Sequence, residues 1–146
     1  MPTTSWGLTF DCENAPAMAR FWTMALGYVD KPPPEGWDTW EDWLRHFEVP
    51  EEEWDDGANL CDPDGVLPGI GFLKVPEPKT AKNRLHLDLH VSGGRHIAPT
   101  TRTERIEAMV DRLVGAGGAV QHRDESFGSL DHVVMTDPEG NEFCVV

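Results

Sequence analysis

The sequence predicts an α+β fold of tandem β-α-β-β-β modules, forming a curved sheet around a cleft with helices on the outer face and a Trp-rich helical insertion. Three observations predict it. An Asp-Pro-acid-Gly turn occurs twice, at Asp62–Gly65 and Asp137–Gly140. The same run of strand, helix ending in glycine, two strands, turn and strand surrounds each copy, as expected of units that must associate to bury a second face. The 146 residues, 39% of them hydrophobic, make one domain with material for a sizeable core. The repeats run about 4–76 and 83–146 within a single domain 1–146, with the insertion at about 30–57.

Trp6–Phe10 is the first strand. Asn14 suits a helix N-cap with Pro16 in the first turn, and Met18, Phe21, Trp22 and Ala25 fall at i, i+3, i+4 and i+7 on one apolar face. Gly27 stands where a helix ends, and the prolines at 32–34 break the chain. Trp40, Trp43, Leu44 and Phe47 repeat the helical spacing up to Pro50. Ala58–Cys61 and Ile70–Val75 are strands on either side of the first Asp-Pro turn. From Arg84 to Val91 the chain alternates, with Leu85, Leu87, Leu89 and Val91 on one side and Arg84, His86, Asp88 and His90 on the other, as a half-buried strand does. Thr101 with Glu104 fits a capping box. Ile106, Met109, Val110, Leu113 and Val114 give the third helix its stripe, ended by glycines 115, 117 and 118. Val120–Gln121, His132–Thr136 and Glu142–Val146 complete the strands.

Twelve Lys and Arg against 26 Asp and Glu give a formal charge of −14. That excludes a phosphate-binding surface for nucleic acid and electrostatic docking on anionic lipid. The acidity is local: residues 35–64 carry twelve acids and one base, Arg45, which is −11 of the total. The same insertion holds Trp37, Trp40, Trp43 and Trp54. It reads as a helix docked into the core, a lid walling a cleft with indoles, or a dimer interface. Cys12, Cys61 and Cys144 are too widely spaced for a CxxC pair, which fits a reduced cytoplasmic protein with no structural zinc. No signal peptide or membrane span is visible.

With Phe21-Trp-Thr-Met-Ala-Leu-Gly27 near the start and Asp137-Pro-Glu-Gly-Asn-Glu-Phe-Cys144 at the end, the layout resembles the vicinal oxygen chelate superfamily of glyoxalase I, extradiol dioxygenases and bleomycin-resistance proteins. The segment Val75–Leu89 resembles an actinobacterial glyoxalase-like branch. The resemblance implies a divalent ion held by side chains on the first and last strands of each half, positions that map here onto Gly7, Leu73, His86 and Cys144. Only His86 is a usual ligand, so no resident metal and no other cofactor is expected. An alternative ion site would pair His86 with Asp88, about 6.6 Å apart at Cα, with Cys144 third.

The expected function is metal-independent binding of a hydrophobic or planar organic ligand, a drug or metabolite, by a cytoplasmic homodimer. The ligand-binding residues are Trp40, Trp43, Arg84, His86, Asp88 and Cys144. The alternatives are an enzyme, either a metal-dependent lyase or dioxygenase with atypical ligands or a metal-free isomerase using His86 and Asp88 as an acid/base couple, and an interaction module that contacts a partner protein through the acidic insertion. Cys144 reads either as a small buried residue or as a nucleophile with His86 as its base.

Overall fold

The computed structural model describes all 146 residues, Met1–Val146. They form two compact units, residues 1–23 with 27–78, and residues 24–26 with 79–146. No helix is long and apolar enough to cross a membrane.

The first unit holds β1 (Leu8–Cys12), α1 (Ala15–Leu26) apart from its last three residues, β2 (Val29–Asp30), α2 (Trp40–His46), a 3-10 turn (Glu51–Asp56), β3 (Gly57–Cys61) and β4 (Ile70–Lys74). The α1 boundaries follow from local chemistry. The Asn14 side chain accepts from the Ala17 N–H at 3.0 Å, satisfying a donor the first turn leaves over. Gly27 takes φ 69° and returns its N–H to the Thr23 carbonyl, a conformation that a Cβ would strain. The sheet order is β1-β4-β3-β2, with β1 and β4 parallel and the other pairs antiparallel. The expected core face of α1 is buried. The Trp22 ring lies 5.1 Å from Phe10, which stacks on Phe72 at 5.6 Å.

The second unit repeats this plan with β5 (Asp88–Leu89), α3 (Pro99–Gly115), β6 (Ala119–Asp124), β7 (His132–Thr136) and β8 (Glu142–Val145). Its sheet order, β5-β8-β7-β6, has the same single parallel pair. Ile106, Val110 and Leu113 of α3 are fully buried, as are Val133, Met135, Phe143 and Val145 of the sheet. In both halves the Asp-Pro turn is held by its aspartate. Asp62 accepts from the N–H groups of Asp64, Val66 and Leu67. Asp137 accepts from the N–H groups of Glu139 and Asn141 and from the Asn141 amide.

Four expectations change. The strand at 84–91 contracts to Asp88–Leu89, and Leu85 is 80% exposed instead of facing a core. Backbone hydrogen bonds to β8 begin only at the Leu87 carbonyl, which accepts from the Cys144 N–H, so no strand ladder forms before it. The third helix starts at Pro99, with Ala98 at the N-cap and no side-chain cap, because proline's fixed φ suits a first helical position; Thr101 and Glu104 then lie inside the helix and form no capping box. Met109 is only partly covered and Val114 is 48% exposed, so the stripe of α3 is narrower than its apolar residues suggest. Finally, α2 and the 3-10 turn contain no buried residue, so the insertion does not fill the core.

Candidate functional site

Strand alternation gives the second sheet one face under α3 and one free of it. Leu89, Val145, Val133, Met135 and Phe143 belong to the covered face. The register then places Asp88, Cys144, Val134 and His122 side by side across all four strands on the other face. This row is half apolar and half polar, and it reaches from an exposed carboxylate to an exposed imidazole. One step along β8, Glu142 is opposite Thr136. The Glu142 side chain is only 10% exposed. It accepts from the Asn83 N–H at 2.9 Å and from Lys82 Nζ at 3.4 Å, and the Asn83 bond, ahead of the lysines, pulls its carboxyl below the usual range. Glu142 thereby ties the segment entering β5 to the last strand.

Cys144 is buried. Burial pushes its thiol up first, and the Asp88 charge and the hydrogen bond to Asp88 push it further. Raising the thiol pKa opposes the thiolate that a nucleophile or a metal ligand requires.

The first sheet has a comparable row. Asp11 is opposite Leu73 as Asp88 is opposite Cys144. Thr9, Gly71 and Asn59 form the neighbouring row. A Cβ on Gly71 would lie 3.4 Å from Asn59 Oδ1 and 3.6 Å from Thr9 Oγ1. A divalent ion of the kind the sequence resemblance implies fits these residues poorly. Leu73 has no donor, Gly7 has none, and Cys144 is a soft thiol that burial and the Asp88 charge push upward, while hard divalent ions call for several oxygen or imidazole donors.

Of the residues expected to form the site, Asp88 and Cys144 are brought together. Arg84, His86 and His90 are exposed. Trp40 and Trp43 stay within the insertion, where their rings lie 5.7 Å apart, edge to face. Trp43 also meets Phe47 at 4.8 Å. Trp37 lies 4.8 Å from His46 and 6.4 Å from Phe47. The Trp40 indole donates to the Lys31 carbonyl and the Trp54 indole to the Val49 carbonyl.

Sequence reasoning missed Val134, His122 and Glu142. A period-two count back from Cys144 reaches Glu142; the other two need the strand register. It also missed the network around Asp131, which is 6% exposed. Arg95 makes two hydrogen bonds to its carboxylate, at 2.9 and 3.0 Å. Arg102 reaches it at 3.3 Å and His132 Nδ1 at 3.0 Å. The Arg95 bonds, followed by that of His132, hold the Asp131 carboxyl far below the usual range. Asp124, Asp131 and His132 have donor atoms within 4.8 Å of one another, but two guanidiniums already neutralise Asp131, which disfavours a cation there.

The model of the glyoxalase-like domain family matches residues 7–146. No protein of curated function matches the chain in sequence. Among solved structures, a possible glyoxalase from Bacillus cereus superposes with a TM-score of 0.61 at 14% identity, covering 99% of each chain. The fosfomycin resistance protein FosX from Mesorhizobium loti gives 0.63 at 9% identity, over 99% of this chain and 91% of that one. A hypothetical protein from S. aureus gives 0.58 at 17% identity, over 97% and 95%. At these identities the likeness is one of fold.

Proposed function

The chain belongs to the glyoxalase-like domain family, and on that premise we propose that it binds a small hydrophobic or planar organic molecule without a resident metal. The observation that carries this reading is the row Asp88–Cys144–Val134–His122 on the helix-free face of the second sheet. It combines apolar surface with a few polar groups, the usual makeup of a small-molecule site. Burial and the neighbouring Asp88 charge push the thiol of its one soft donor, Cys144, upward. Asp88 and Cys144 are the central contacts, with Arg84 and His86 beside them in sequence, and Glu142 positions the segment that carries them. Trp40 and Trp43 supply aromatic contact in their own unit. The protein is read as a cytoplasmic homodimer of the actinobacterial branch, the latter on the tract Val75–Leu89.

Metal analysis of protein purified without a histidine tag tests this reading. Substoichiometric metal is expected across the divalent first-row series. One tightly held ion per chain, removed by chelator with loss of a thermal-stability increment, would replace it with the metal-dependent lyase or dioxygenase.

A further inference from the structure

The insertion combines two unspent chemistries. The first is aromatic. Trp40 and Trp43, on a helix with no buried residue, form a continuous ring cluster with Trp37 before it and Phe47 at its end, and Phe47 is 56% exposed. The second is charge. Within 35–56 only Asp42 and Asp56 are ion-paired, to Arg45 at 3.5 Å and Lys74 at 3.7 Å; Glu35, Asp38 and Glu41, which flank the rings in sequence, have no cationic partner. The segment's one base also shows which chemistry its rings accept: the Arg45 guanidinium sits 5.0 Å from the centre of the Trp54 ring, where the ring quadrupole attracts a cation.

We infer that this surface selects planar organic cations, the aromatic body lying against Trp43 and Phe47 and the positive charge balanced by the unpaired acids. A second copy of the chain is the wrong occupant, because two such insertions would bring like charges together. An anionic ligand is excluded for the same reason. The inference rests on the reading of Trp40 and Trp43 as ligand contacts in the first unit and adds the charge class of what binds there.

Three probes of one shape test it by tryptophan fluorescence: aminoacridine, a cation at neutral pH; neutral acridine; and acridine carboxylate, an anion. Aminoacridine is expected to bind about tenfold more tightly than acridine, and the anion not at all. That preference should shrink between ~50 and ~500 mM salt as the Debye length falls. Trp43→Ala should weaken both binders, whereas the triple variant Glu35→Gln/Asp38→Asn/Glu41→Gln should weaken only aminoacridine. Because these three acids hold no ion pair, their neutralisation should leave the circular dichroism spectrum unchanged. Equal binding of cation and neutral probe, unaffected by the triple variant, overturns the inference and leaves the aromatic contact standing. Absence of binding by all three overturns both. A lysine-rich peptide that binds where aminoacridine does not overturns the inference in favour of a protein partner.

Discussion

Asp131→Ala is expected to cost about 3–5 kcal/mol of folding stability, the usual penalty for breaking a buried ion pair from one side. The cost falls on Arg102. Its side chain is 8% exposed, its Nε is buried without a partner, and the Asp131 carboxylate is the counter-ion that meets it. Arg95 is 71% exposed and can turn to water, so Arg95→Ala should be mild. The double variant Asp131→Ala/Arg102→Met should recover most of the loss, since it removes both charges. Urea unfolding of the four proteins measures this, and a loss below about 1 kcal/mol for Asp131→Ala would show that water already serves Arg102. The same network sets an acid limit. The carboxyl pKa is lower in the folded protein than in the unfolded chain. Its stabilisation is therefore complete above the ordinary carboxylate value of about 3.9 and declines as the pH falls below it. Asp131→Asn should flatten that part of the stability profile.

Trp22→Ala should be comparably damaging, at about 3–5 kcal/mol. Trp22 is 1% exposed and lies against both Phe10 and Phe21, with ring centres 5.1 and 5.5 Å away. Deleting the indole leaves a cavity that two flanking rings and a sheet strand cannot close without leaving their rotamers. Trp40→Ala is the contrast. Trp40 belongs to a helix with no buried residue, so its removal should cost far less, and a thermal melt of the two variants side by side separates core tryptophan from surface tryptophan. Similar losses for both would mean that the insertion contributes to the core.

That contrast marks how far the chain could be read directly. The α1 helix was legible because every signal for it is local: Asn14, Pro16, Gly27 and a stripe at helical spacing. The paired Asp-Pro turns were legible for the same reason, since each aspartate binds amides within five residues of itself. The strand at 84–91 was less so. Its alternation is real, but pairing with β8 decides where a strand exists, and that pairing stops at Leu87. The insertion's helix was visible while its burial was not, because a stripe of tryptophans at helical spacing looks the same whether it faces a core or its own neighbours. The Asp131 network joins residues 36 and 29 positions apart, and no pattern within either segment announces it. Within the candidate site, Asp88 and Cys144 were each singled out, but their meeting depends on a parallel register between two strands 56 residues apart.

The central claim is that the helix-free face of the second sheet takes the ligand. Amide chemical-shift mapping of isotope-labelled protein against a set of planar and hydrophobic fragments tests it most directly. Binders that act on the second unit are expected to move the amides of Asp88, Val134, Cys144 and His122 together, and Asp88→Ala should abolish the shifts at all four. Fragments that bind the second unit while leaving Asp88 and Cys144 unmoved would contradict the account.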